Sequence, residues 1–217
     1  HDIYIKEGIA TIYTADYSGG KTSKDTNITI TITKSPSIVT RKSKVYVLGD
    51  SLTCIYYNGG NAQHNLKTGW GQVLQAYMSD DVEVVDLGNS GVTATGLLAT
   101  AFTQILASAR PGDVVVLESG YNDKTYNTQT EMKNAVTAMV NQTKGLGVDI
   151  VLVSPNASPH DYKADVAWTS VMKEVADATY SDYIDLAKLS YDFLFETYGT
   201  DTATIEASYV VSDRLHA

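Results

Sequence analysis

Val45-Tyr46-Val47-Leu48-Gly49-Asp50-Ser51-Leu52-Thr53 is the stretch from which the rest of the chain can be read. An apolar, β-favouring run ends at a glycine where the chain must turn sharply, and Ser51 follows where a helix would begin. A strand, a tight turn and a helix start in that order open a βαβ unit. The pattern recurs downstream. Further β-rich apolar runs lie at Val82 to Val85, Val114 to Leu117, Ile150 to Val153 and Tyr183 to Leu186, each followed by turn residues or a helix-like stretch. Between them, Gly71 to Met78, Ala94 to Ala107, Thr130 to Lys144 and Asp165 to Ala178 carry apolar residues three and four apart, as amphipathic helices covering a sheet do. The expected fold is α/β, a parallel sheet flanked by helices. In such sheets ligands collect beyond the carboxyl ends of the strands, so the turns after the first three strands are where chemistry is expected.

Residues 1–43 read differently. Thr-rich alternation at Ile9 to Thr14 and Asn27 to Thr33, separated by Ser18-Gly19-Gly20, predicts two β-strands with no helical period. Ser35-Pro36-Ser37 and the basic Arg41-Lys42-Ser43-Lys44 then break the pattern, which puts a domain boundary near residue 43 and the main domain at 44–217. The short β-rich segment looks like the closing strands of an immunoglobulin-like module. Two strands alone are marginal in water, so it reads either as a remnant or as an appendage of the main domain.

With 16 Lys+Arg against 25 Asp+Glu in 217 residues, the formal net charge is −9. That charge repels nucleic-acid phosphates and anionic lipid, so neither is an expected partner, and a neutral substrate fits better. No apolar run approaches the roughly 20 residues a membrane span requires. His1 to Gly8 lacks the basic, apolar and small-residue succession of a signal peptide, so any such peptide lies outside this chain. Cys54, the single cysteine, has no partner for an intrachain disulfide and no Cys/His cluster for zinc, and no cofactor or metal is expected. Its position just after Ser51 makes it a rival nucleophile; the blander reading is a small buried hydrophobe.

Three turns supply candidates. Ser51 sits where backbone N–H groups at a helix start favour negative charge on a bound oxygen, although Asp-Ser there is equally a plain N-cap. Asp50 reads as a turn-stabilising hydrogen bonder. After the second strand, Asp86-Leu87-Gly88-Asn89-Ser90-Gly91 is a loop in which Gly91 can present its N–H, or simply meet a conformational need. After the third, Glu118-Ser119-Gly120-Tyr121-Asn122-Asp123 brings the Asn122 amide to the same edge as an oxyanion donor or an ordinary turn residue. A serine nucleophile also needs a base. Of His1, His64, His160 and His216, only His216 has a carboxylate one turn before it, Asp213, spaced to hold the imidazole tautomer. His160, in Ser158-Pro159-His160-Asp161 after the fourth strand, and His64, in the loop beyond Ser51, read as substrate contacts or surface residues.

Taken together, Gly49-Asp50-Ser51-Leu52, Gly91, Gly120-Tyr121-Asn122-Asp123 and Asp213-Arg214-Leu215-His216 resemble, in order, the four sequence blocks of the SGNH (GDSL) hydrolase superfamily. The resemblance covers about residues 44 to 217. It implies a flavodoxin-like sheet, a Ser51–Asp213–His216 triad, an oxyanion hole made by Ser51, Gly91 and Asn122, and ester hydrolysis through an acyl-enzyme. Gly69-Trp70-Gly71-Gln72 looks like the rhamnogalacturonan acetylesterase branch and implies a secreted enzyme that deacetylates a plant polysaccharide such as pectin or xylan. Trp70 is then either a sugar platform or a helix-start residue packed on the sheet. A lipid or thioester hydrolase, or a non-catalytic carbohydrate-binding module, are the other readings of the same residues. Two departures stand out. Family members continue past the histidine block into a closing helix, whereas this chain stops at Ala217, which leaves the expected base beside a terminus prone to fray. The family also does not require the β-rich start.

Overall fold

The five strands expected after residue 43 all form, and they lie parallel in one sheet. The structure is a computed structural model that describes residues 8–14, 26–32, 41–56, 67–156, 162–199 and 203–205. The strands are β3 (Ser43–Leu48), β4 (Val82–Asp86), β5 (Val114–Glu118), β6 (Asp149–Val153) and β7 (Asp182–Ile184), in the spatial order β4-β3-β5-β6-β7. Val45 pairs with Val84 on one side and Val114 on the other, and Val116 pairs with Val151, so the central strands are bonded on both edges. The first strand of the domain is thus flanked by the second and the third. The chain reverses direction across the sheet there, the place beyond the carboxyl ends of the strands where ligands collect in open α/β sheets.

Helices fill the connections: α1 (Trp70–Leu74), α2 (Ala94–Ala99), α3 (Ala101–Ser108), α4 (Asp123–Tyr126), α5 (Gln129–Gly145), α6 (Tyr162–Thr179) and α7 (Leu186–Tyr198). Alternate residues of the central strands, Tyr46 and Leu48, Val115 and Leu117, Ile150 and Leu152, join one apolar core with residues of α2, α3, α5 and α6. In α5 the buried residues Met132, Ala135, Val136, Met139, Val140 and Thr143 recur at helical spacing. Each large side chain so buried contributes about 1.5–3 kcal/mol. A capping box starts α5: Thr128 Oγ1 accepts from the Glu131 N–H while Glu131 accepts from the Thr128 N–H.

Five elements depart from the sequence expectation. The single helix predicted over Ala94 to Ala107 is two, because Thr100 leaves helical space (φ −125°, ψ −90°). The last strand ends at Ile184 rather than Leu186, since the Asp185 side chain accepts the Lys188 N–H and caps α7. The helices α4 and α7 were not anticipated. Finally, no helix begins at Ser51. Residues 51–53 form a turn and 54–56 run on irregularly, for a reason set out below.

The chain divides into two units, His1–Arg41 and Lys42–Ala217. In the first, β1 (Gly8–Thr14) and β2 (Thr26–Ile32) pair antiparallel, with Gly8 opposite Ile32 and Thr14 opposite Thr26. These are the two strands that the Thr-rich alternation predicts.

Candidate active site

Asp50 explains why the chain turns rather than winds after β3. Its carboxylate Oδ1 accepts the Leu52 N–H at 2.9 Å. Its carbonyl accepts the Thr53 N–H at 3.1 Å, the Thr53 hydroxyl at 2.9 Å and the Cys54 thiol at 3.3 Å. Groups that a continuing helix would use are committed elsewhere: the Leu52 carbonyl accepts the Trp70 N–H, and the Tyr56 N–H donates to Gln72 Oε1, both across to α1. Asp50 is therefore the turn-stabilising hydrogen bonder that its position suggested. Ser51 is 7% exposed at the apex of this turn, and a helix dipole does not act on it.

The three expected turns meet at one edge of the sheet. Beyond the strand ends, the Leu87 N–H donates to the Val47 carbonyl at 2.8 Å and the Asn89 N–H to the Gly49 carbonyl at 2.9 Å, tying the Gly91 loop to the Ser51 turn. Tyr56, 7% exposed, donates its hydroxyl to the Ser51 carbonyl at 2.7 Å, and the same phenol interacts with the Ser90 side chain. From the third turn, the Asn122 amide nitrogen donates to Asp50 Oδ2 at 2.9 Å and to the Val92 carbonyl at 3.0 Å. Gly91 is exposed with φ +77°, a left-handed conformation that costs glycine nothing and a side-chain-bearing residue more. Ser51, Gly91 and Asn122 thus share one neighbourhood. Both protons of the Asn122 amide are engaged within the protein, so a bound oxyanion would have to compete with Val92 or Asp50 for one of them.

Beneath these turns lie three buried carboxyl groups. Asp123 is fully enclosed; it accepts the Ala94 N–H (3.0 Å to Oδ1), the Ser119 hydroxyl (2.8 Å) and the Asn127 amide (2.6 Å). It therefore anchors the first residue of α2 to the Asn122 turn. Burial, reinforced by the negative charge of Asp123, raises Asp50 to about 6, with the Leu52 N–H and the Asn122 amide pulling the other way. Glu118, at the end of β5, is wholly buried and held well above the carboxylate range, first by burial and then by the charges of Asp50 and Asp123. On the far side Asp86, which accepts the Gly88 N–H at 2.8 Å, is raised by burial to about 6.

Cys54 is buried, and burial with the negative charges of Asp86, Asp50 and Glu118 pushes its thiol up to about 12. A thiol so far from ionisation is a poor nucleophile, which favours the reading of Cys54 as a small buried hydrophobe.

In Gly69-Trp70-Gly71 the glycines carry the packing. A side chain on Gly69 would meet Thr53 and Cys54 backbone atoms at 2.3–2.5 Å, and one on Gly71 the Thr53 carbonyl at 2.6 Å. Only glycine lets α1 lie this close beneath the Ser51 turn. Trp70 opens α1 half-buried, and its indole N–H is buried without a partner among the described residues. That favours the packed reading over a presented sugar platform.

His1, His64, His160, Asp213 and His216 lie outside the described residues. Tyr56, Glu118 and Asp123, by contrast, support the site without having been singled out for it. For Glu118 the signal was an acidic residue closing an otherwise apolar strand; for Asp123, its place directly after Asn122. Nothing local marks Tyr56. Among the described residues no cluster of His, Cys, Asp and Glu is arranged to hold a metal ion, and no helix is long and apolar enough to cross a membrane.

Comparison with known proteins agrees with this fold. Among solved structures, YxiM of Bacillus subtilis superposes with a TM-score of 0.70 at 25% identity, over 92% of this chain and 58% of that one. Axe2, an acetylxylan esterase from Geobacillus stearothermophilus, superposes with a TM-score of 0.59 at 22% identity, over 80% and 86% of the two chains, a likeness of fold. In sequence, the chain is 28% identical over 184 residues to the uncharacterized esterase YxiM of Bacillus subtilis (strain 168); the match covers 79% of this chain and 47% of that protein, so the chain spans about half its length. The model of the GDSL-like lipase/acylhydrolase family matches residues 47–216. The parallel five-stranded sheet, the Ser51 turn at its switch point and this match over most of the chain make it a member of the GDSL-like lipase/acylhydrolase family.

Proposed function

We propose that this protein is a serine ester hydrolase that removes acetyl groups from a carbohydrate, with Ser51 as nucleophile, His216 as base and Asp213 as the carboxylate that orients it. The observation that carries the reading is the convergence of Ser51, Gly91 and Asn122 at the carboxyl edge of β3, β4 and β5, with Asn122 bonded to both other turns. The family match runs to residue 216 and so includes the Asp213-Arg214-Leu215-His216 block. Acetylxylan esterases among the structural neighbours favour a carbohydrate acetyl ester as substrate.

In this mechanism Ser51 Oγ attacks the ester carbonyl carbon as His216 takes the hydroxyl proton, and the imidazolium is stabilised by Asp213. The tetrahedral intermediate carries its negative oxygen towards the Ser51 and Gly91 N–H groups and the Asn122 amide. Its collapse expels the sugar hydroxyl, which receives the proton from His216. Water, deprotonated by His216, then attacks the acetyl-serine, releases acetate and returns the proton to Ser51. The Val92 carbonyl is the partner that the oxyanion displaces from Asn122, so the Gly91–Val92 loop sets how much that amide contributes.

The test is acetate release from acetylated plant polysaccharides and a simple aryl acetate, with Ser51→Ala run alongside and aryl esters of longer acids as comparison. Activity on acetyl esters that the variant lacks supports the proposal. Preference for long acyl chains replaces the carbohydrate substrate with a lipid one, and glycan binding without hydrolysis replaces catalysis altogether.

A further inference from the structure

Glu118 is the one fully buried carboxyl group near the site whose two oxygens both lack a hydrogen-bond donor among the described residues. It lies directly under the Ser51 turn: a Cβ built on Gly49 would sit 3.0 Å from Glu118 Oε2. The Asp50 N–H and the Asp50 carboxyl both act on it electrostatically, and neither forms a hydrogen bond with it in the structure. None of the described ion pairs, Lys44–Glu83, Lys133–Glu174, Lys173–Asp177 and Lys188–Asp192, reaches Glu118, Asp50 or Asp123. Two neighbouring carboxyl groups out of water, with none of those ion pairs reaching them, do not both carry a charge at little cost; a proton between them satisfies both.

We propose that Glu118 is a positioning residue for the Ser51 turn, a neutral carboxylic acid that donates a hydrogen bond to the Asp50 carboxylate and so fixes the oxygen to which Asn122 is bonded. Asp50 is the member that stays ionised, because the Leu52 N–H and the Asn122 amide are bonded to it and favour its charged form, whereas neither Glu118 oxygen has a bonded donor among the described residues. The chain of contact runs from Glu118 to Asp50 to Asn122, from the base of the turn to the oxyanion donor. Among the described residues, the other titratable groups that act on Glu118 or are acted on by it are Asp123 and Cys54. Asp123 is already supplied with donors, and Cys54, pushed up to about 12, does not titrate in the working range.

This role rests on the esterase reading, so its test has one arm independent of activity. In protein carrying 13C-labelled glutamate carboxyls, the resonance missing from Glu118→Gln identifies Glu118, and it should report a protonated acid at pH 7 when the surface glutamates are ionised. In the kinetic arm, Glu118→Ala should lower kcat on aryl acetate on the order of 10²-fold with little change in KM, as a misplaced oxyanion donor would. Glu118→Gln, neutral and able to donate, should recover most of that loss and also lose the alkaline limb that ionisation of Glu118 gives the wild-type profile. An ionised Glu118 at pH 7, or a folded Glu118→Gln as impaired as Glu118→Ala, overturns the proposal. If the wild type hydrolyses no ester, the esterase reading fails, and the resonance still decides where the proton is.

Discussion

Asn122 holds Asp50 and Val92 at once, with its amide nitrogen 2.9 Å from the Asp50 carboxylate and 3.0 Å from the Val92 carbonyl. One side chain thus joins three turns that are far apart in sequence, and it does so with the donors that the proposed oxyanion hole needs. Asn122→Ala should lower kcat on an aryl acetate by on the order of 10²- to 10³-fold. It should also destabilise the fold by about 1–3 kcal/mol, because it strips a donor from a buried carboxylate. Steady-state kinetics and urea unfolding read the two effects separately; near-wild-type turnover would remove Asn122 from the oxyanion hole.

Burial sets a pH dependence of stability. Asp50 and Asp86 titrate at about 6 in the folded protein against an ordinary 3.8. Between those values the folded state keeps protons that the unfolded chain has released, so these two groups make stability fall as pH rises from about 4 to 6. Glu118, also raised by burial, contributes with the same sign. Urea midpoints measured from pH 4 to 7 should show a shallower decline in Asp86→Asn than in the wild type. Identical slopes would mean that Asp86 titrates normally.

Cys54 should be chemically quiet. With its thiol enclosed and pushed up to about 12, it should resist alkylation at pH 8 in the native protein and react at once in urea. Cys54→Ala should keep most of the wild-type kcat. Loss of turnover in a folded variant would bring Cys54 back as a nucleophile.

Glycines at contrasting sites should respond with opposite sign. Gly69→Ala drives a methyl group into the Thr53–Cys54 backbone and should cost about 1–3 kcal/mol, with the Ser51 turn displaced. Gly145→Ala, at the end of α5 with nothing within 4 Å, should gain about 0.5–1 kcal/mol. Thermal unfolding of the two variants decides it.

What could be read from the residues follows a physical divide. The central strands β3, β5 and β6 are short apolar runs with buried residues on both faces, and their hydrophobic patterning alone revealed them. The helix α5 announces itself through Thr128, Glu131 and a regular apolar stripe. The helix expected at Ser51 failed because the donors and acceptors of that segment are claimed by Asp50, Trp70 and Gln72, and long-range competition of this kind leaves no local mark. For the same reason Ser51, Gly91 and Asn122 stood out, each at a turn after a strand, whereas Tyr56 did not. Its role exists only because its hydroxyl reaches back to the Ser51 carbonyl.

The ladder between β3 and β4 does not stop where the strands do, for Leu87 and Asn89 go on pairing with Val47 and Gly49 into the two turns. The base of the candidate site is therefore mechanically part of the sheet. A motion that separated the Gly91 loop from the Ser51 turn would have to unzip backbone pairs of the same kind that hold the core strands together. Substrate entry should accordingly proceed over a rigid base, and the amide protons of Leu87 and Asn89 should exchange with solvent as slowly as those of the central strands.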